Sequence, residues 1–304
     1  MIYTFTPNPA IDYYTDTPDF RYGEINHSIG ADYRAGGKGI NVSLALNALE
    51  IPSVAIYFSG GSFGRIIGEQ LEKYPFITAC PVETEESTRL NIKFVGNSDT
   101  AINAPGPFIS EKAKQQMRKI LSVLKEDDYL IISGSLPKNV DMEYICSLCR
   151  MVSGNGGRIV LDTSAALQQD FEDLDVFLIK PNLEEFIHMF PQEEVNENNF
   201  PEYMKRLNEK GVKNILLSMG AKGSYYRGEA GEYRIEVPKV EVYSTVAAGD
   251  TTLGVFIGMY LKTGDMEKAL VYANAAGSIR VSTGNFELKT TEDIISNIKL
   301  KKIG

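Results

Sequence analysis

From about residue 110 the chain alternates short apolar runs with helical stretches, and that alternation restricts the fold more than any other feature. A helical stretch at 111–124 precedes "YLIISG" (129–134). A helix near 141–152 precedes the strands "GRIVLD" (157–162) and "VFLIK" (176–180), and helices near 183–190 and 201–210 precede "KNILLSMG" (213–220). Runs of this length, apolar throughout rather than at every second residue, suit strands buried on both faces of a parallel sheet. "GSYYRG" and "GEYRIEVP" (223–238) read as a hairpin, and 250–262, 266–282 and 291–301 as helices.

The first third is mixed. "IYTFT", a helix near 40–49, "SVAIYF" and a helix near 63–73 extend the same α/β layer. Residues 11–35 and 77–104 read instead as extended, so a small β-sheet is expected to leave the main layer twice and form a lid. With 304 residues, 43% of them hydrophobic, the chain can bury one large core, and a single domain over 1–304 is expected. The net charge of −9, with no basic run interleaved with aromatics, argues against a nucleic-acid partner. No apolar run approaches the ~18–20 residues of a membrane span, so no membrane partner is expected. The start lacks a basic segment before an apolar run, and three cysteines do not make a disulfide framework. The expectation is a soluble, cytoplasmic protein.

"STVAAGDTTLGVF" (244–256) places Asp250 behind small residues, with Leu253, Phe256, Ile257, Tyr260 and Leu261 following at helical spacing. Asp250 can be a plain N-cap. Alternatively, Ala247, Ala248 and Gly249 leave helix N-terminal amides open to a phosphate, and Asp250 takes a proton from an attacking hydroxyl. Neither G-x-x-x-x-G-K-[ST] nor a full G-x-G-x-x-G occurs, so any nucleotide site is of another type. "IKPNLEEF" puts Lys180 at a strand end, where α/β sheets bind ligands, with Asn182 and Glu185 spaced as a capping box. "LSMGAKGSYY" brings Ser218, Gly220 and Gly223 to another strand end. "RAGGKGIN" sets Lys38 among glycines before a helix, a phosphate cation or a solvated lysine. Asp12 can accept sugar hydroxyls or close an Asx turn, and Arg89 can fork a phosphate or lie exposed on its strand.

Two further patterns compete. "GGSFG" (60–64) matches G-x-S-x-G, which would make Ser62 a hydrolase nucleophile, with His188 the sole histidine downstream. Cys146 and Cys149 have metal-ligand spacing, but they fall in an amphipathic helix pattern and read as core.

"NPAIDY", "GGKGIN", "TRLNIKF", "NAPGP", "SGSLP", "IKPNLEE", "SMGAKG" and "STVAAGDT" occur in that order along nearly the whole chain. Together they resemble the ribokinase-like carbohydrate kinases, the PfkB family. The first four look most like the branch acting on phosphorylated ketohexoses, fructose 1-phosphate first and tagatose 6-phosphate second. The resemblance implies an α/β fold: a three-layer α/β/α sandwich with a mostly parallel central sheet and a small β-sheet lid that makes a homodimer contact. It implies Asp250 as base and Ala247, Ala248 and Gly249 as the anion hole. Lys180, Asn182, Ser218, Gly220, Gly223 and Asn274 would line the ATP site. Asp12, Gly37 and Asn41 would hold sugar hydroxyls, and Lys38, Arg89 and Ser135 the sugar phosphate. Glu185 would organise Mg2+ through water, and a monovalent cation is compatible with the family. The chain departs from the family pattern at Ala247 (usually Gly), Thr251 (usually Ser) and Pro7 (usually Leu). If position 247 needs a left-handed conformation, Ala is costly there, and an inactive sugar-phosphate binder is the remaining alternative.

Overall fold

The computed structural model describes residues 1–96, 100–172, 174–287 and 291–303. Strand β1 (Ile2–Thr6) begins the main sheet; β2 (Ala10–Asp16) and β3 (Gly30–Gly36) leave it for a second sheet. Helix α1 (Lys38–Ala48), β4 (Ser53–Ser59), α2 (Gly61–Leu71) and β5 (Ile77–Glu83) return to the main layer. Strands β6 (Arg89–Val95) and β7 (Thr100–Ile102) leave it again. The chain continues through α3 (Glu111–Leu121), β8 (Tyr129–Ser133), α4 (Met142–Gly154), β9 (Arg158–Asp162) and β10 (Val176–Ile179). Helices α5 (Leu183–His188) and α6 (Phe200–Glu209) lead to β11 (Val212–Ser218), then to the hairpin β12 (Ser224–Gly228) and β13 (Gly231–Glu236). The last elements are α7 (Ala248–Thr263), α8 (Met266–Thr283), α9 (Glu292–Ile295) and β14 (Lys299–Lys302).

The main sheet runs β14-β13-β12-β11-β10-β9-β8-β1-β4-β5, parallel from β11 to β5 and antiparallel through β12, β13 and β14. Side chains alternate between its two faces. On β8, Leu130 and Ile132 join the core beneath α3, α4 and α6, while Tyr129 and Ile131 join the core beneath α1, α7 and α8. That is the expected three-layer arrangement. The second sheet runs β3-β2-β6-β7. Cys146 and Cys149 are buried in α4 as packing residues. No helix among the described residues is long and apolar enough to cross a membrane.

Three expectations need correction. Residues 77–83 belong to the main sheet: β5 pairs in parallel with β4, because "ITACPVE" closes the edge over α2. Within 77–104 the second sheet therefore starts at Arg89, and residues 97–99 lie outside the described residues. The helix expected at 291–301 is the short α9 followed by β14, which pairs with β13; in "KLKK" only Leu300 is half-buried, a pattern that fits a sheet edge as well as a helix end. Asp250 is not the N-cap of α7. That position is Ala247, at φ 61° and ψ 7°, and Asp250 sits inside the first turn. The left-handed conformation costs a non-glycine residue about 1–2 kcal/mol.

Strand order reverses between β1 and β8: β4 and β5 follow on one side, β9, β10 and β11 on the other. Open α/β sheets bind ligands at the strand carboxyl ends of such a point. Helices α1 and α7 lie together on one face beside it. Their contact is close because Gly254 has no side chain: a Cβ there would stand 2.7 Å from the Ala45 Cβ and 2.8 Å from the Val42 carbonyl oxygen. Gly254→Ala should push α7 away from α1, with an expected cost of about 1–3 kcal/mol. Urea unfolding would show it as a lower midpoint at unchanged slope, accompanied by reduced activity. An unchanged midpoint would mean that the two helices do not need this contact.

Candidate active site

The polar groups at this switch point come from the ends of four strands and the starts of three helices. Asp162, the last residue of β9, is 1% exposed. Its carboxylate accepts from Ser133 Oγ at 2.8 Å, across the register pair that ends β8 and β9. Lys38 Nζ lies at 3.4 Å and Lys180 Nζ at 3.5 Å from the same Oδ1. Burial alone would raise the pKa of Asp162, but Lys180, Lys38 and the Ser133 hydroxyl outweigh it and hold it below the usual carboxylate range.

Lys38 is the first residue of α1. Gly37 before it has φ 133°, and a Cβ would meet the Thr6 methyl at 2.6 Å, so only glycine makes this turn. Lys38 also meets Glu185 at 3.1 Å. Burial works against its charge, yet Asp162, Glu185 and Asp250 together raise its pKa above the ordinary lysine range. It is therefore a paired cation, not a solvated one. Lys180 follows β10, is 3% exposed, and ends beside α7: a Cβ on Gly249 would stand 3.2 Å from its Nζ.

Asp250 Oδ2 accepts from Asn41 Nδ2, on the second turn of α1, at 2.7 Å. Asp250 as a whole is 6% exposed. Burial, then the charge of Asp162, push its pKa up to about 6, against the opposing pull of Asn41, Lys38 and Lys180. The amides of Ala248, Gly249 and Asp250 begin the same helix and have no partner within it. A cleft of about 550 Å³ lies between the second sheet and this turn, lined by Asp12, Asn41, Ala247 and Arg280 among others. Asp12 does not close an Asx turn; its Oδ1 accepts from Asn91 Nδ2 at 2.8 Å.

Arg89 is half-buried, with its fork already on main-chain carbonyls: Nη2 to Asn8 at 2.8 Å and Nη1 to Ala104 at 3.2 Å. Asn8 in turn donates to Ser135 at 3.4 Å, so Arg89, Asn8 and Ser135 form one group beside the cleft. On the other side, Asn182 and Glu185 make the full capping box, 2.8 and 2.9 Å. Asn182 bridges to Ser218, and Gly220 and Gly223 shape the turn between β11 and β12. Asn274 is buried, with Oδ1 on Ser224 and Nδ2 on the Leu270 carbonyl.

Sequence reasoning missed Asp162, Ser133 and Asn8. The first two left one signal, a polar residue ending an otherwise apolar strand. Asn8 left none beyond its motif. The Ser62 alternative fails on position. Ser62 is exposed at the start of α2 and accepts from Arg65, while His188 ends α5. The strands leading to them, β4 and β10, are four places apart in the sheet, roughly 19 Å at the usual strand spacing.

Residues 8–291 match the pfkB family carbohydrate kinase. The chain is 33% identical to a 1-phosphofructokinase of Borreliella burgdorferi, over 100% of this chain and 99% of that protein. It is 31% identical to a D-tagatose-1-phosphate kinase of Klebsiella oxytoca over 100% of both. The structure of phosphofructokinase-2 from Escherichia coli in complex with potassium superposes with a TM-score of 0.90 at 25% identity, over 97% of this chain and 98% of that one. The fold and these matches define a carbohydrate kinase. The chain belongs to the pfkB family.

Asp250 can accept a proton only when ionised. If Asp250 is the base, the acceptor's kcat/KM should therefore fall about tenfold per pH unit below about 6. A sugar phosphate titrates near there too, so the variant Asn41→Ala separates the two. Losing a donor that favours the carboxylate moves the break upward if Asp250 sets it. A break at the same pH in both proteins would assign it to the substrate.

Proposed function

We propose that the protein is an ATP-dependent kinase of ketohexose phosphates, with fructose 1-phosphate the preferred acceptor and fructose 1,6-bisphosphate the product. The observation that carries this reading is the Asn41–Asp250 bond, which fixes a carboxyl of raised pKa at the first turn of α7 beside the Lys180 ammonium.

The roles follow from position. The C6 hydroxyl attacks the γ-phosphorus of ATP in line, Asp250 takes its proton, and ADP leaves. A positioned base contributes about 10²–10⁴ in rate. The amides of Ala248 and Gly249, after the Ala247 turn, meet the charge that builds on the phosphoryl oxygens, each preorganised donor supplying roughly 3–4 kcal/mol. Lys180 and Lys38 leave Asp162 for phosphate oxygens as the ligands enter, exchanging one anionic partner for another. Asp12, Gly37 and Asn41 hold sugar hydroxyls, and Arg89, Lys38 and Ser135 the sugar phosphate. Asn182, Ser218, Gly220, Gly223 and Asn274 flank the nucleotide. The second sheet acts as the lid of a single domain and keeps water from the phosphoryl group.

Among the described residues no three acidic, histidine or cysteine side chains converge on a metal position. Glu185 already uses one oxygen on Lys38 and the other on the Asn182 amide. That donor set suits magnesium held by phosphate oxygens and water, with Glu185 as an outer partner. Bound there, magnesium would neutralise charge on the β- and γ-phosphates.

The second sheet also supports a homodimer. Tyr33, Tyr13, Ile92 and Ile102 stand opposite one another across β3, β2, β6 and β7, and Tyr13, Tyr33 and Ile102 are exposed. A row of this kind fits a second copy of the chain. A cytoplasmic setting is part of the same reading.

Tagatose 1-phosphate is a second acceptor to consider, because a relative of similar identity is named for it. It differs from fructose 1-phosphate only at C4 and offers the same C6 hydroxyl. Tagatose 6-phosphate, phosphorylated at C1, is the third. The test is a panel of these three with ATP and magnesium, read by coupled ADP formation. Fructose 1-phosphate should give the highest kcat/KM. A preference for tagatose 6-phosphate would reverse the assigned orientation of the sugar, and no ADP with any acceptor would leave an inert binder.

A further inference from the structure

The turn that begins α7 is strained and thinly supported. Ala247 is left-handed, Val246 and Tyr243 are exposed, and residues 237–247 contain no helix or strand. The lead-in is tied instead to the last turns of α8. The amides of Tyr243 and Ser244 donate to the Val281 carbonyl at 2.9 and 3.1 Å, and Arg280 Nε donates to the Val246 carbonyl at 3.2 Å. A basic residue near a helix C-terminus ordinarily serves that helix's own dipole. Arg280 instead bonds a carbonyl of another segment, one residue before the strained position. It also lines the cleft with Asp12, Asn41 and Ala247.

We propose that Arg280 is a positioning residue for phosphoryl transfer, whose guanidinium clamps the Val246 carbonyl, holds the Ala247 turn left-handed, and so aims the first amides of α7 at the migrating group. The proposal rests on the kinase reading for its catalytic consequence, but the clamp itself is a property of the turn. A clamped carbonyl fixes the peptide that leads into Ala247, and the next amides follow from that φ and ψ. Burial and Arg34 oppose the charge of Arg280, and Tyr14 and Asp250 support it.

Two measurements test this, and one needs no activity. The first is a double-mutant cycle of Arg280→Met with Ala247→Gly, read by urea unfolding. If the guanidinium restrains a strained turn, Arg280→Met lowers the urea midpoint clearly in the Ala247 protein and much less in the Ala247→Gly background, where the turn needs no restraint. Equal shifts in both backgrounds would overturn the clamp, whatever the enzyme's substrate. The second is steady-state kinetics of Arg280→Met, and of Arg280→Lys should the first variant not fold. Misaiming the amides should lower kcat roughly 10- to 100-fold while KM for both substrates stays within about threefold. Millimolar guanidinium ion should restore part of the loss in Arg280→Met, which repair of a merely destabilised fold would not do. A kcat within about threefold of the parent would overturn the positioning role. So would a loss carried by KM for the sugar phosphate alone, which would make Arg280 a substrate contact. If the parent enzyme phosphorylates no sugar phosphate, the kinase reading fails while the unfolding cycle still decides the clamp.

Discussion

Asp162 is buried at the carboxyl end of β9 with two ammonium groups and a hydroxyl on its oxygens. A lone carboxylate in that position would carry a desolvation penalty of several kcal/mol. Lys180 alone would be no better placed, since its Nζ lies against the positive end of α7. Each group is tolerable only because the others are present. The arrangement leaves two cations and a helix N-terminus converging on one point, ready for an anion richer in charge than a carboxylate. It also sets the character of Asp250. The neighbouring negative charge of Asp162, added to burial, lifts that carboxyl to about 6, where it is a better proton acceptor than an ordinary aspartate and still ionised at neutral pH.

The second constraint is distance. Asn41 can reach Asp250 at 2.7 Å because α1 and α7 touch through Gly254 one turn further along. The cation cluster belongs to the strand ends and the base to a helix, and this backbone contact holds them in register. Glycine at 37 does a similar job at the start of α1, letting the chain turn sharply off β3 so that Lys38 starts the helix. The small sheet that carries Asp12 and Arg89 is thus linked to the helix that carries Lys38 and Asn41 without any intervening loop.

Much of this was readable in the residues. The alternation after residue 110 gave the parallel sheet, because strands buried on both faces leave a pattern that does not depend on distant partners. The capping box at Asn182 and Glu185 was legible for the same reason. Elements whose identity depends on a distant neighbour were not. "ITACPVE" looks like lid until β4 is seen beside it, and the Lys-rich end of the chain looks helical until β13 is. Asp250 looked like a cap because the true cap, Ala247, is a residue type that seldom adopts a left-handed turn. Asp162 was overlooked because nothing in "GRIVLD" shows that two lysines, 124 residues before it and 18 after it, fold onto its carboxylate.

In the proposed mechanism one carboxyl removes the sugar proton at the mouth of a pocket built from helix amides. Single-turnover phosphoryl transfer with Asp250→Asn, alongside a direct measurement of ATP affinity, tests it most closely. If Asp250 is that base, transfer slows by about 10²–10⁴ with nucleotide affinity nearly unchanged. Transfer within a few-fold of the parent rate would show that the proton leaves by another route.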